Sequence, residues 1–173
     1  KVCVIEKDKI GGVCLNSGCI PTKSLSASSK ALEQIACANE FGINVKDYSV
    51  DFKKVYERKD SVVKKLSTGI GMLMKARKID IVMREAEIKN PTSIAVGSTE
   101  IETKNILIAT GSQPVQIPGM EFDGKTIVSS KDLLQLDAIP KSIIIVGGGV
   151  IGCEFASIFR SFGCEITIVE MLD

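Results

Sequence analysis

Residues 2–5, Val-Cys-Val-Ile, form a short apolar run closed by Glu6, the pattern of a buried parallel strand rather than of a half-solvated one. The Gly11-Gly12 pair follows, and residues 14–38 are compatible with a helix. Over residues 51–78, Val55, Val62, Leu66, Ile70 and Leu73 fall on one stripe of a long amphipathic helix, with Asp51 as N-cap and many lysines on the solvated face. Strands are predicted over 80–88, Ser93–Val96 and 105–109. The proline-containing loop 113–119 then marks a candidate domain junction.

Beyond Lys141 the pattern sharpens. Ser142–Val146 reads as a buried strand, a glycine loop follows, a helix runs to about Phe162 with Gly163 as its stop, and residues 165–170 form a second strand. This is a complete βαβ unit. The chain opens inside a strand and stops too soon to finish a doubly wound sheet, so both ends read as cut. The expected fold class is α/β. Two incomplete Rossmann-like domains in tandem are expected, over residues 1–118 and 119–173, because the strand ending in Glu6 resembles the one ending in Glu170.

Composition narrows the function classes. With 22 Lys+Arg against 21 Asp+Glu, the chain lacks the basic excess that nucleic acid or an anionic membrane surface would call for. No apolar run approaches the ~18 residues of a membrane span, and the N-terminus lacks the shape of a signal peptide. At 45% hydrophobic residues the chain can build a core without disulfide staples. Of the six cysteines, Cys3 and Cys164 lie in strand-like runs and Cys37 and Cys153 in helix-like ones, which reads as four buried thiols in a reducing compartment. A cytoplasmic location is expected, with an organelle matrix as the other choice. Histidine, the usual proton carrier near neutral pH, is absent, so part of any acid–base machinery is expected outside these residues.

Two motifs carry chemistry. Gly147-Gly148-Gly149-Val150-Ile151-Gly152 fits G-x-G-x-x-G between a strand and a helix, and an acid, Glu170, ends the next strand. The first glycine, Gly147, permits a tight turn, Gly149 lets the backbone approach a pyrophosphate, and Gly152 allows close helix–strand packing. Glu170 would bind a ribose 2′-hydroxyl and repel a 2′-phosphate, which favours NAD over NADP.

The second motif places Cys14 and Cys19 five positions apart. In a regular helix their Cα atoms would be roughly 8–9 Å apart, whereas a disulfide needs about 4.4–6.8 Å. A bridge therefore requires a break in the helix, for which Asn16, Gly18 and Pro21 are suited. A bridge held in that setting suits a redox couple better than a staple. A metal pair and two unrelated buried thiols are the alternatives, and no further Cys or His ligand is evident for the former.

The run GGVCLNSGCIPTK at 11–23, with ATGSQP at 109–114 and GGGVIGCEFA at 147–156, resembles the pyridine-nucleotide–disulfide oxidoreductase family over essentially the whole chain, most closely its dihydrolipoamide-oxidising members. The resemblance implies FAD in domain 1–118 and NAD in domain 119–173. It implies a Cys14–Cys19 redox disulfide, with Cys19 as the thiol nearest the flavin and Cys14 as the one that meets the substrate. Glu6 would hold the FAD adenosine ribose, Gly12 and Cys14 would line the cofactor, and Lys23 would approach the reactive flavin nitrogen. Thr110, Gly111 and Ser112 match a second FAD-contact segment, and Ala86 a small residue against the adenine. Gly147, Gly149, Val150, Ile151, Gly152 and Glu170 would hold NAD, and Glu154 matches an acid that pairs with Lys23.

By the same resemblance, electrons pass from dihydrolipoamide or a lipoyl-carrying protein to NAD⁺ in a homodimer. The family's first glycine fingerprint and its interface domain with a His–Glu pair lie outside this segment, so these residues alone are not expected to turn over. Mercuric and glutathione-type reductases share the cysteine motif, and a non-catalytic nucleotide-binding module is the alternative of another class. Glu170 argues against the NADP-linked members, and Asn16 with Ile20-Pro21-Thr22-Lys23 fits the lipoamide type.

Overall fold

The computed structural model describes residues 1–171. Strand β1 (Cys3–Glu6) pairs in parallel with β2 (Asp80–Met83), Glu6 lying opposite Met83. Parallel strands leave a sheet at the same edge, so Glu6 and the connector that carries Ala86 emerge side by side. Three helices join the two strands: α1 (Gly12–Ser17), α2 (Cys19–Ala36) and, after a 3-10 turn at Ala38–Phe41, α3 (Phe52–Ala76).

Helix α3 starts where its N-cap predicts. The Asp51 carboxylate accepts the Lys54 backbone N–H at 3.1 Å, and this bond holds the Asp51 carboxyl below its ordinary range. Of the predicted stripe, Val55, Val62 and Ile70 are half-buried and Leu66 and Leu73 exposed, while the fully buried positions, Tyr56 and Lys59, lie beside it. Lys59, one of the lysines assigned to the solvated face, is only 4% exposed. Its ammonium donates to the Leu134 carbonyl, pairs with Asp60 at 2.9 Å and sits 4.7 Å from the Tyr56 ring centroid. Those partners make the burial of a charge tolerable.

The predicted strand over 80–88 divides. Strand β2 ends at Met83, and β3 (Glu87–Asn90) belongs to a separate antiparallel sheet with β4 (Ser93–Val96) and β5 (Thr99–Glu102). Residues 105–109, also a predicted strand, are irregular, with Leu107 92% and Ile108 67% exposed. None of the described strands pairs with this segment, and an extended run without a partner has no ladder to join.

The C-terminal unit matches the pattern closely: β6 (Ser142–Val146), α5 (Val150–Ser161) and β7 (Glu165–Val169), the strands parallel from Ser142 opposite Glu165 to Val146 opposite Val169. Strand β6 is not buried on both sides as its apolar run predicts. Ile143 and Ile145 turn inward, while Ile144 and Val146 are 70% and 54% exposed. Two strands packed against α5 on one face leave the other face open.

The principal core gathers Leu25 of α2, Tyr56 of α3, Leu134, Phe155, Ile158 and Phe159 of α5, and Cys164. It thus draws on both sides of residue 118. Leu134 follows the short helix α4 (Ser130–Leu133), which a Ser129–Asp132 capping box starts. The Tyr56 hydroxyl donates to the Leu133 carbonyl at 2.6 Å, so Tyr56 and Lys59 together fasten α4 to α3. Among the described residues, no helix is long and apolar enough to cross a membrane.

Candidate functional site

The helix break required between the two cysteines falls on Gly18, which separates α1 from α2. Asn16 stays inside α1, and Pro21 is accommodated in the first turn of α2, where a missing N–H does no harm. A Cβ at Gly18 would lie 3.0 Å from the Val13 carbonyl oxygen and 3.1 Å from the Cys14 Cα. Only glycine lets α2 begin this close to Cys14. The Gly18 carbonyl accepts the Thr22 N–H at 3.2 Å and the Thr22 hydroxyl at 2.7 Å, which anchors the new helix at its first turn.

Cys14 and Cys19 are both exposed. They are neighbours: the hydrogen bond with Cys14, and then its charge, push the Cys19 thiol above its ordinary range, while the Lys23 charge pulls the other way. Of the four cysteines read as buried, only Cys164 is so; Cys3, Cys37 and Cys153 are exposed. Cys3 lies in a two-stranded sheet, Cys37 caps the end of α2, and Cys153 lies in the first turns of α5. None of those positions is covered by the core.

Helix α1 is fixed to its surroundings by side chains. The Asn16 amide donates to the carbonyls of Ile10 at 3.1 Å and Gly12 at 3.0 Å, with that of Lys9 at 3.5 Å. The Ser67 hydroxyl of α3 donates to the same Ile10 carbonyl at 3.2 Å. Gly11 and Gly12 adopt left-handed φ of 115° and 67°, and a Cβ on Gly11 would collide with Leu15 Cδ2 at 2.1 Å. A Cβ on Gly111 would meet Val13 Cγ2 at 2.9 Å, so the Thr110-Gly111-Ser112 loop lies against α1. Gly111 is thereby brought to the stretch of α1 between Gly12 and Cys14. Glu6 ends β1 with its carboxylate accepting the Asp8 N–H at 2.9 Å, and Ala86 is exposed beyond β2.

The second cluster forms around the β6–α5 turn. Gly147, at φ 106°, donates its N–H to the Val169 carbonyl at 2.8 Å and closes the turn across both strands. A Cβ on Gly152 would lie 2.4 Å from the Gly147 carbonyl oxygen, so the third glycine is where helix and turn touch. Gly149 caps α5 without any side-chain hydrogen bond, and the exposed Val150 and Ile151 form the first turn. Its leading N–H groups are thus open to phosphate oxygens. The Glu170 carboxylate accepts the Gly148 N–H at 2.6 Å and the Met171 N–H at 2.7 Å, which places it over the glycine turn.

An ion pair between Lys23 and Glu154 joins the two clusters. Lys23 is the fifth residue of α2 and Glu154 the fifth of α5, and a hydrogen bond from Ser161 to Glu33 ties the same helices near their far ends. The helices accordingly run side by side in one direction, and the cysteine pair and the glycine turn face the same end of the molecule. The pair was legible from sequence; the Asn16 amide, the Gly148 N–H and the buried Lys59 were not assigned these contacts. An amide-bearing residue inside the cysteine spacer was the one signal available for the first.

The model of the family described as pyridine nucleotide-disulphide oxidoreductase matches residues 1–173. The dihydrolipoyl dehydrogenase of Acholeplasma laidlawii is 42% identical over 178 residues, covering 100% of this chain and 53% of that protein. A dihydrolipoyl dehydrogenase of Bacillus subtilis is 44% identical over 178 residues, covering 99% of this chain and 39% of that protein. The crystal structure of LpdA from Mycobacterium tuberculosis superposes with a TM-score of 0.88 at 27% identity, covering 98% of this chain and 39% of that one. The Cu(II) complex of RclA, an HOCl-induced flavoprotein disulfide reductase from Escherichia coli, gives 0.78 at 35% identity, covering 97% and 36%. The chain spans about half the length of these relatives or less.

Proposed function

Because the chain belongs to the pyridine nucleotide-disulphide oxidoreductase family, we propose that it carries the dithiol centre and parts of both nucleotide sites of a flavoprotein that oxidises dihydrolipoamide and reduces NAD⁺. The observation that carries this reading is the placement of Cys14, Cys19 and the Gly147–Gly152 turn at one end of two helices clasped by Lys23 and Glu154. Residues 1–118 then belong to a Rossmann-like FAD-binding domain and 119–173 to an NAD-binding one. The residues fit both groups. Glu6 and Ala86 leave the same end of one sheet, Gly111 lies against Val13 between Gly12 and Cys14, and the uncapped start of α5 faces Glu170. The relatives named dihydrolipoyl dehydrogenase support the substrate.

In the oxidised form a substrate thiolate attacks the Cys14 sulfur, the Cys14–Cys19 bond breaks, and Cys19 leaves as a thiolate near Lys23. The second substrate thiolate then attacks the substrate sulfur bound to Cys14 and releases the Cys14 thiolate. The substrate leaves as its cyclic disulfide, two electrons remain on the cysteines, and two protons pass to base or solvent. When bound, FAD supplies a two-electron acceptor and NAD⁺ a hydride acceptor. Since the chain has no histidine, we assign the base to the His–Glu pair across a homodimer. Lys23 balances the Cys19 thiolate, and Glu154 orients Lys23. A lipoyl-carrying protein would present the dithiol.

The test is an anaerobic titration of the holoenzyme with dihydrolipoamide, followed by NAD⁺. A long-wavelength thiolate–flavin band at two-electron reduction, lost in Cys19→Ser together with NADH formation, is the expected result. NADH formation unchanged in Cys19→Ser overturns the reading. The likeness to RclA makes another disulfide substrate the second reading; an intact band with negligible turnover of dihydrolipoamide would favour it.

A further inference from the structure

Helix α1, which carries Cys14, has six residues and is bracketed by Gly11-Gly12 on one side and Gly18 on the other. A helix this short does not hold its own shape in water. The glycines on either side give it latitude to shift, so its place must come from contacts with the rest of the fold. Cys19 has no such freedom. It starts an 18-residue helix whose next turns bury Pro21, Thr22 and Leu25. Of the two thiols, Cys14 is the one whose position must be imposed.

We infer that Asn16 is the positioning residue of the dithiol centre: its carboxamide holds α1 in the placement from which Cys14 can close a disulfide with Cys19. Asn16 stands between the two cysteines. Its amide nitrogen carries two hydrogens, and the carbonyls of Gly12 at 3.0 Å and Ile10 at 3.1 Å take them, with that of Lys9 at the 3.5 Å limit. These bonds fold the Lys9–Gly12 turn back onto α1. The Ile10 carbonyl also accepts the Ser67 hydroxyl, so turn, α1 and α3 meet at one oxygen. Leu15 is buried beneath the same helix and Val13 lies against Gly111, but apolar contacts set depth more than rotation about the helix axis. The amide fixes that rotation, and with it the direction of the Cys14 sulfur.

This inference rests on the reading that Cys14 and Cys19 form a redox disulfide. Its test is the equilibrium of the flavin-loaded full chain with glutathione. One oxidised glutathione takes two electrons from the protein dithiol: one cysteine thiolate forms a mixed disulfide and releases one reduced glutathione, and the other cysteine displaces the second as the protein disulfide closes. The equilibrium constant, read by anaerobic alkylation and mass analysis of Cys14 and Cys19, measures how well the thiols are presented to each other. With two hydrogen bonds removed, Asn16→Leu is expected to shift it about tenfold toward the dithiol. Asn16→Asp removes the same donors but adds a charge, so an equal direction of shift in both variants assigns the effect to the donors. Ser67→Ala, which loses one bond on the same carbonyl and lies on a well-formed helix, is expected to shift it about threefold in that direction.

Equilibria within twofold of wild type in Asn16→Leu and Ser67→Ala overturn the assignment. Should Asn16→Leu fail to fold, Ser67→Ala decides alone. A wild-type protein that forms no Cys14–Cys19 bridge under oxidised glutathione overturns the redox-disulfide reading and this inference with it, whereas a normal bridge with unresponsive variants removes the inference only.

Discussion

Gly152 and Gly149 offer a paired perturbation in which one substitution acts on the protein and the other on its ligand. An alanine Cβ at 152 would stand 2.4 Å from the Gly147 oxygen, where ordinary contact begins at 3.4 Å, so the turn must retreat by about 1 Å. That retreat is resisted, because Gly147 is tied to Val169 by a 2.8 Å hydrogen bond and already has φ 106°. Overpacking of this kind costs about 1–3 kcal/mol. For a chain of 173 residues this lowers the melting temperature by roughly 2–12 °C, at about 2–4 °C per kcal/mol. At Gly149 a Cβ meets nothing within 4 Å, and φ −68° suits any residue. Gly149→Ala should therefore leave the melting temperature unchanged or raise it slightly through the unfolded chain. If a pyrophosphate packs on that backbone, the same methyl group weakens NAD binding at least tenfold. Calorimetric unfolding of the NAD-free protein and titration with NAD⁺ read the two effects separately. Equal melting temperatures for Gly152→Ala and wild type would refute the close approach of helix and turn; full NAD affinity in Gly149→Ala would refute the pyrophosphate position.

Three further outcomes follow from the packing and the thiols. Phe159→Ala removes a core ring that is 1% exposed and should destabilise the protein by about 3–5 kcal/mol in denaturant unfolding. Lys59→Met keeps the aliphatic stem but removes the donor to the Leu134 carbonyl, and the orphaned oxygen should cost about 1–3 kcal/mol in the same assay. Because the Cys14 hydrogen bond and charge raise the Cys19 thiol, less of it is thiolate at any given pH near neutrality, so its alkylation rate should rise with pH and level off only above the ordinary cysteine range. In Cys14→Ala that profile should move to lower pH; an unmoved profile would show that Cys14 is not the cause.

The parts of the fold that were legible are those whose signals are local. The Asp51 cap, the Gly163 stop and the glycine turn between β6 and α5 depend on residues a few positions apart, and the structure has each where the pattern predicts. The spacing of Cys14 and Cys19 required a helix break, and Gly18 carries it. The Lys23–Glu154 pair spans most of the chain, and it was the family resemblance, not periodicity, that brought it into view. What periodicity missed depends on partners. Residues 105–109 have strand composition but no described strand beside them, and β6 is covered by α5 on one face only. Lys59 reads as solvated until its ammonium is seen over the Tyr56 ring, donating to the Leu134 carbonyl. Cys3, Cys37 and Cys153 were assigned to the interior by residue type alone, which says where cysteines usually go and not where these elements end.

The core built from Leu25, Tyr56, Leu134 and Phe159 also governs how this molecule can move and melt. Domains joined by small polar interfaces hinge freely, whereas a large apolar one resists it. Here the helix behind the cysteines and the helix behind the glycine turn are sealed by the same buried side chains, so swinging one against the other would expose that whole cluster to water. Residues 1–118 and 119–173 should then unfold in one cooperative transition, without a hinge between them.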